Sequence, residues 1–436
     1  MKPSDQDDLT RVGPGTVMGD FMREYWVPAL SSRELECDAP PLRLMLLGEK
    51  LIAFRDSQGR VGVMDHRCPH RGASLFLGRN EDSGIRCIYH GWKFEVDGRC
   101  VDTPSVPTQA RTATRARARA FPTREQAGLV WVYMGSRSEP PPLPMIDAAM
   151  LGDAEVRVSF MQRRCNWLQA LEGDIDTSHV GFLHFGSLRD EDLPPGHPLE
   201  NTPWRAPEYH VRETPWGTSY NSYRPARDGL TYWRCANFMF PFWTQTPQGE
   251  FRTNINARGW VPMDDEHTMF IYLEWQDRPS YAAPLRSGGP VPGNTPSAEY
   301  LPNDSSWFGR WRAKACEAND WLIDREAQSK NIIFSGIENV HLQDQAVSES
   351  MGPIVDRGFE HLHIGDRMVV TTRRRLLKAA RSFRETSEPP PGVLDAAVFQ
   401  GARSGYFLKD SSVSALEGYE QEVAACVRPA STNPVK

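Results

Sequence analysis

The sequence predicts an α+β protein in two parts, a small all-β domain followed by a larger α+β domain. Three observations carry this expectation. Arg43 to Met134 reads as short strands broken by turns, Glu139-Pro140-Pro141-Pro142-Leu143-Pro144 is a proline cluster, and strand runs mixed with helical stripes follow it. Pro fixes φ and lacks an N–H, so the cluster fits neither a helix interior nor a central strand and reads as a linker. The expected division is 1–138 (with an N-terminal helical segment), linker 139–150, and 151–436.

Element by element, Leu44–Leu47 and Leu51–Phe54 flank Gly48-Glu49-Lys50 and suggest a hairpin. Val61–Met64 follows the turn at Ser57-Gln58-Gly59, and Trp92–Val96 alternates bulky and polar residues before Asp97-Gly98. Gly128–Met134 is a candidate buried strand. Beyond the linker, Leu168, Leu171 and Ile175 lie on one helical stripe within Cys165–His184. Residues 206–275 read as successive strands, Pro279–Asp304 as a Pro/Gly-rich surface loop, and 305–350 and 366–385 as helices.

Composition narrows the function classes. The chain has 436 residues, 50 Lys plus Arg against 56 Asp plus Glu, and a net charge of -6, which disfavours nucleic acid as partner. No apolar run reaches the ~18 residues of a membrane span, and the polar, acidic start carries no signal-peptide pattern. Eight Cys scattered over this length suggest free thiols in a cytoplasmic protein rather than a disulfide framework. Of the basic residues 42 are Arg, so no single Arg stands out by type.

Two of the cysteines have company. Cys68-Pro69-His70-Arg71-Gly72 and Cys87-Ile88-Tyr89-His90-Gly91-Trp92 each offer one thiolate and one imidazole. Structural zinc sites group like ligands, whereas a mixed pair of loops suits a [2Fe–2S] cluster with two Cys on one iron and two His on the other. A zinc site on the same four residues is the competing reading. His66 lies outside both loops and is assigned an ordinary structural role.

A second constellation lies at Asp176-Thr177-Ser178-His179-Val180-Gly181-Phe182-Leu183-His184. Asp176 and His179 share a face if helical, but His179 and His184 are five apart and meet only where the helix ends or bulges, with Gly181 in the gap. A site of two His and one carboxylate would leave open positions on Fe(II). Asp344 is a candidate third ligand, with Glu338, Glu349 and Asp356 competing.

Together these segments resemble the large (α) subunits of Rieske non-haem iron aromatic-ring oxygenases, and within them the phthalate 4,5-dioxygenase group. The opening Arg11-Val12-Gly13-Pro14-Gly15-Thr16, the stretch Tyr25–Leu30, both metal motifs and the Gln343–Arg357 segment all take part. The resemblance implies a Rieske domain followed by a helix-grip catalytic domain. Cys68, His70, Cys87 and His90 would hold the [2Fe–2S] cluster, and His179, His184 and Asp344 a mononuclear Fe(II). Asp176 would bridge to the cluster of a neighbouring subunit, and Asn166 matches the Asn that often precedes the motif; these two are the candidate catalytic residues. It further implies a homotrimer or a multiple of three.

The chain shows no Gly-rich dinucleotide fingerprint and no further Cys cluster. Electrons from NAD(P)H are therefore expected through a separate reductase, with FMN and a ferredoxin-type cluster by the same resemblance. The expected reaction uses O2 to hydroxylate, preferentially cis-dihydroxylate, a small aromatic and preferentially carboxylated substrate. Monohydroxylation or O-demethylation of an aryl ether, and an electron-transfer protein without oxygenase activity, are the alternatives. Arg224 and Arg234 are candidates for the substrate carboxylate. The aromatic stretch Tyr232–Trp243 is either a pocket wall or sheet core.

Overall fold

The computed structural model describes residues 1–107, 116–184, 206–226, 228–278 and 298–428. Two short helices, α1 (Pro3–Thr10) and α2 (Val17–Arg23), open the chain. Eleven strands follow: β1 (Trp26–Ser31), β2 (Leu42–Leu46), β3 (Glu49–Arg55), β4 (Val61–Asp65), β5 (Arg79–Glu81), β6 (Gly84–Arg86), β7 (Lys93–Phe94), β8 (Cys100–Asp102), β9 (Ala120–Phe121), β10 (Thr123–Gln126) and β11 (Leu129–Tyr133). They form three antiparallel sheets ordered β1-β11-β10, β2-β3-β4-β9 and β5-β6-β7-β8.

The second part is built on β12 (Val156–Arg163), β13 (Glu208–Thr214), β14 (Gly217–Pro225), β15 (Leu230–Met239), β16 (Trp243–Gln245), β17 (Asn256–Pro262), β18 (Thr268–Trp275) and β19 (Gly405–Asp410). These eight strands make one antiparallel sheet, ordered β12-β18-β17-β16-β15-β14-β13 with β19 beside β15. Five helices join it: α3 (Trp167–Asp174), α4 (Arg325–Ser329), α5 (Val340–Ser350), α6 (Arg367–Thr386) and α7 (Ala415–Ala424). The long α6 buries Met368, Thr372, Leu376 and Ala380 along one stripe. Its Thr372 hydroxyl meets that of Thr218 on β14 at 2.6 Å, which pins the helix to the sheet.

The two parts share their main core. Residues of β1 and β11, including Trp26, Val130 and Val132, pack in one buried cluster with Phe160, Trp260, Phe270 and Leu273 of the large sheet. The hairpin tip Leu47-Gly48 reaches across, its two N–H groups donating to the carbonyls of Pro262 and Met263 at 3.0 and 2.8 Å. The proline cluster is likewise packed down, since the Trp26 Nε1–H donates to the Pro141 carbonyl. A smaller, separate core of Ile52, Phe54, Met64, Leu75, Ile85 and Phe94 lies under the two Cys-His loops.

Several expectations need correction. The hairpin turn is the two residues Leu47-Gly48, both at positive φ, so Glu49 and Lys50 already belong to β3. The strand expected over Trp92–Val96 shrinks to Lys93–Phe94. Only Arg325–Ser329 and Val340–Ser350 of the expected 305–350 helix are α-helical. Asp320, Trp321 and Leu322 adopt positive φ, which breaks a helix whatever the propensity of its neighbours. The Pro/Gly-rich loop lies outside the described residues from 279 to 297, and its remainder is irregular. Among the described residues, no helix is long and apolar enough to cross a membrane.

Candidate active site

The two Cys-His loops are built alike. The Cys68 N–H donates to the Ala73 carbonyl at 2.8 Å and the Gly72 N–H to the Cys68 carbonyl at 2.8 Å. In the second loop the Cys87 N–H donates to the Trp92 carbonyl at 2.8 Å and the Gly91 N–H to the Cys87 carbonyl at 3.0 Å. Gly72 and Gly91 close their turns at φ 75° and 76°, a conformation costly for any residue with a Cβ. Both thiols end up buried side by side, and burial, together with the neighbouring Cys87, pushes the Cys68 thiol up to about 11.

The two imidazoles also lie together. His70 and His90 meet edge to face with ring centroids 4.5 Å apart, and His70 lies flat on Trp92 at 4.4 Å. His70 Nδ1 is buried without a hydrogen-bond partner, which leaves that lone pair for a metal. Burial, and the neighbouring His70 and Arg71, hold His90 below its ordinary value. The residues present therefore fit a cluster with two Cys and two His. His66 stays outside, at 3.5 Å from the Ser74 hydroxyl and against Trp307.

The second constellation forms where α3 ends. Asn166 caps that helix by accepting from the Leu168 N–H, and Leu168, Leu171 and Ile175 bury its apolar stripe. The helix stops at Asp174, before either histidine, and a 3₁₀ turn over His179–Gly181 folds the chain back on itself. The expected break therefore comes earlier than the gap around Gly181. His179 Nε2 and His184 Nε2 lie 3.1 Å apart, and Asp344 Oδ1 on α5 lies 3.6 and 3.4 Å from them. Among the described residues these three form the one group of His, Cys, Asp and Glu side chains with donor atoms close enough to share a metal. Glu338 is exposed, Glu349 is engaged by Arg164, Gln345 and Trp321, and Asp356 caps Gly358, so none of them joins.

Electrostatics sharpen the site. Burial opposes ionisation of Asp344, but His184, His179 and Arg163 outweigh it and hold the carboxyl below the usual range. Burial likewise pulls His184 down, whereas at His179 it is outweighed by Asp176 and Asp344, so that imidazole is raised. Asp176 Oδ2 faces His179 Nδ1 at 3.6 Å, and His184 Nδ1 sits 2.6 Å from Gln343 Oε1. With both Nδ1 atoms engaged, two Nε2 lone pairs and a carboxylate oxygen converge on one point. A cation resolves that arrangement, so these residues fit a two-His, one-carboxylate iron site.

Asn166 corrects the sequence reading. Its amide accepts from Leu168 and donates to the carbonyls of Thr10 and Asp265, so it ties α3 to the N-terminal helices and the β17–β18 turn. Fully buried and bonded in this way, it is a capping residue and makes no hydrogen bond to the triad. Gln343, Ser178 and Tyr209 went unnoticed in the sequence. Ser178 Oγ lies 2.6 Å from Tyr209 Oη, and Gln343 contacts a histidine 159 positions away, for which no local spacing exists.

The sheet supplies the other wall. Across β14 and β15, Ser222 pairs with Arg234 and Arg224 with Tyr232, which puts both guanidiniums on the face shared by Tyr220. Arg234 acts electrostatically on His184, Tyr209, Tyr220 and Tyr232. Burial, then Arg234, lowers Arg224. Of the aromatic stretch 232–243, Trp233 faces the opposite core with Phe251 and Phe407, while Phe238, Phe240, Phe242 and Trp243 fill the main core. That stretch is mostly sheet core, with Tyr232 on the arginine face.

Comparison with known proteins agrees with this geometry. Residues 25–118 match the Rieske [2Fe-2S] domain and residues 132–407 the family described as LigXa C-terminal domain like. The chain is 51% identical over 427 residues to the 3-chlorobenzoate-3,4-dioxygenase oxygenase subunit of Comamonas testosteroni, covering 97% of this chain and 99% of that one. It is 36% identical to the phthalate 4,5-dioxygenase oxygenase subunit of Pseudomonas putida, covering 91% and 90%. Among solved structures, a mutant of Pseudomonas putida CBB5 NdmA shares the fold, with a TM-score of 0.55 at 19% identity over 87% of this chain and 97% of that one. The chain belongs to the Rieske non-haem iron aromatic-ring oxygenases, as a terminal oxygenase subunit that carries a Rieske [2Fe–2S] cluster and a mononuclear iron and takes its electrons from a separate reductase.

Proposed function

We propose that this subunit dihydroxylates an aromatic ring bearing a carboxylate, with Cys68, His70, Cys87 and His90 holding the cluster and His179, His184 and Asp344 the iron. The observation that supports the substrate class is the pair Arg224 and Arg234 on one face of the sheet beside Tyr220 and Tyr232, with Arg234 close enough to act on His184. A guanidinium pairs with a carboxylate in a bidentate fork, and partial burial strengthens the pairing. The named substrates of the relatives, 3-chlorobenzoate and phthalate, are aryl carboxylates, which supports the same choice.

When bound, the cluster and the iron supply one-electron storage and O2 activation. The chain's own residues do the rest. Arg224 and Arg234 would pair with the carboxylate and so anchor that end of the ring. Asp176 orients His179 through Nδ1 and is the proposed bridge to His90 of a neighbouring copy, in a trimer or a multiple of three. Supporting that assembly, Ile88 and Tyr89 stand exposed around His90, and Phe182 and Ile364 stand exposed beside the Asp176 turn. The reductase is proposed to carry FMN and a ferredoxin-type cluster. Outside the two loops, the six cysteines Cys37, Cys100, Cys165, Cys235, Cys316 and Cys426 are free thiols, which supports a cytoplasmic setting. The proposed units are 1–138 for the cluster, 139–150 for the linker and 151–436 for the iron.

Anaerobic reduction with EPR and metal analysis tests the metals, with about three irons per chain expected. Coupled O2 uptake over aryl carboxylates and aryl ethers tests the substrate class; a preference for ethers would overturn it. Asp176→Asn is expected to keep both metals and abolish turnover, and sustained oxygenation by that variant would remove the bridge assignment.

A further inference from the structure

Gln343 lies fully buried on α5, one residue before Asp344. Its Nε2–H donates to the Ile337 carbonyl, and its Oε1 lies 2.6 Å from His184 Nδ1. The chemistry of these atoms leaves little freedom. A backbone carbonyl only accepts, so the Ile337 oxygen draws the amide nitrogen and turns Oε1 towards His184. An amide oxygen also only accepts, so His184 must carry its proton on Nδ1. The Nε2 lone pair then faces His179 and Asp344, as a metal ligand requires.

We infer that Gln343 is the positioning residue of His184, setting its tautomer and ring orientation so that the iron site is preformed. This rests on the iron-site reading above and deepens it. The two histidines are thereby supported unequally, His179 by the Asp176 carboxylate and His184 by a neutral amide. The anionic partner makes His179 the stronger donor, and the neutral partner leaves His184 the weaker one. Gln343 also joins the ligand to the segment before α5. Ile337 follows Phe334, which packs edge-on against Phe182 inside the turn between the two histidines. One side chain thus links the histidine turn, α5 and that segment.

The test uses the full chain with its cluster intact and the mononuclear iron removed by chelation. Fe(II) affinity is measured by chelator competition, and the EPR signal of the ferrous–nitrosyl adduct is recorded. Gln343→Leu removes both hydrogen bonds and is expected to weaken Fe(II) binding by about 10- to 100-fold and to alter the nitrosyl signal. Gln343→Glu keeps an acceptor for Nδ1–H and is expected to stay within about threefold of wild type. The visible absorption of the cluster reports on folding and should not change in either variant. Wild-type affinity in Gln343→Leu would overturn the inference, as would equal losses in both variants, because a purely structural role does not distinguish them. Failure of the wild-type chain to take up one Fe(II) beyond its cluster would overturn the iron-site reading itself, and this inference with it.

Discussion

The two metal constellations differ in how they are assembled. The proposed cluster ligands lie wholly between Cys68 and His90, in twin loops that repeat the same hydrogen bonds around the same left-handed glycine. The proposed iron ligands join a turn after α3 to a carboxylate on α5, and their supports are more dispersed still. Glu172 on α3 is gripped by Arg373 of α6 and by Arg357, and Arg373 also holds Glu360. One site is thus written into local backbone geometry. The other depends on how distant elements pack, so its integrity is tied to the stability of the whole second part.

Mutations should expose that contrast, the largest effect first. Asp344→Ala should abolish O2 uptake and lower the iron count from about three to about two per chain while leaving the cluster's visible absorption intact. Loss of both metals together would mean that the two sites are not independently assembled.

The scaffold comes next. Breaking the Glu172 pairing with Glu172→Gln should cost about 3–5 kcal/mol of stability at neutral pH, read as a fall in Tm. Burial alone would raise Glu172, but Arg357 and Arg373 outweigh it and its carboxyl is lowered. Its contribution is therefore complete above the ordinary carboxylate pKa of about 4.3 and vanishes as pH falls through the lower folded value. The Tm values of wild type and Glu172→Gln should converge only below about pH 4. Convergence nearer neutrality would assign the pH dependence to another group.

Arg234→Met should raise KM for an aryl carboxylate by about 10- to 100-fold, the worth of a charged hydrogen bond, and leave an uncharged analogue nearly unaffected. Equal losses on both substrates would make Arg234 a structural residue.

The smallest effects lie within the twin loops. Gly72→Ala and Gly91→Ala each place a Cβ at positive φ, costing about 1–2 kcal/mol. At Gly91 the added atom would also sit 2.6 Å from Pro104 Cγ, whereas at Gly72 it meets open space. Gly91→Ala should therefore bleach its cluster at the lower temperature. The reverse order would contradict the packing described around Pro104.

Legibility in the sequence followed the same divide. The two Cys-His loops, strands β2, β3, β4 and β11 and the long α6 were readable because motif spacing, turn residues and hydrophobic period are local quantities; the two- and three-residue strands such as β5, β6 and β8 are too short to carry a period. The αL turn at Leu47 escaped notice because only docking against Pro262 and Met263 stabilises a leucine in that conformation. The capping role of Asn166 was not legible because a cap and an active-site amide look the same in a string of letters.

By itself the sequence determined the chemistry on offer: two thiol–imidazole loops, two histidines and a choice of carboxylates. Tertiary structure alone decided that Asp344 rather than Glu349 meets the histidines, that Gln343 stands behind His184, and that Arg224 and Arg234 share one face of the sheet. The physical reason is range. Hydrogen bonding within a turn depends on neighbours a few residues away, whereas convergence of side chains from separate elements depends on which faces bury together across the whole core.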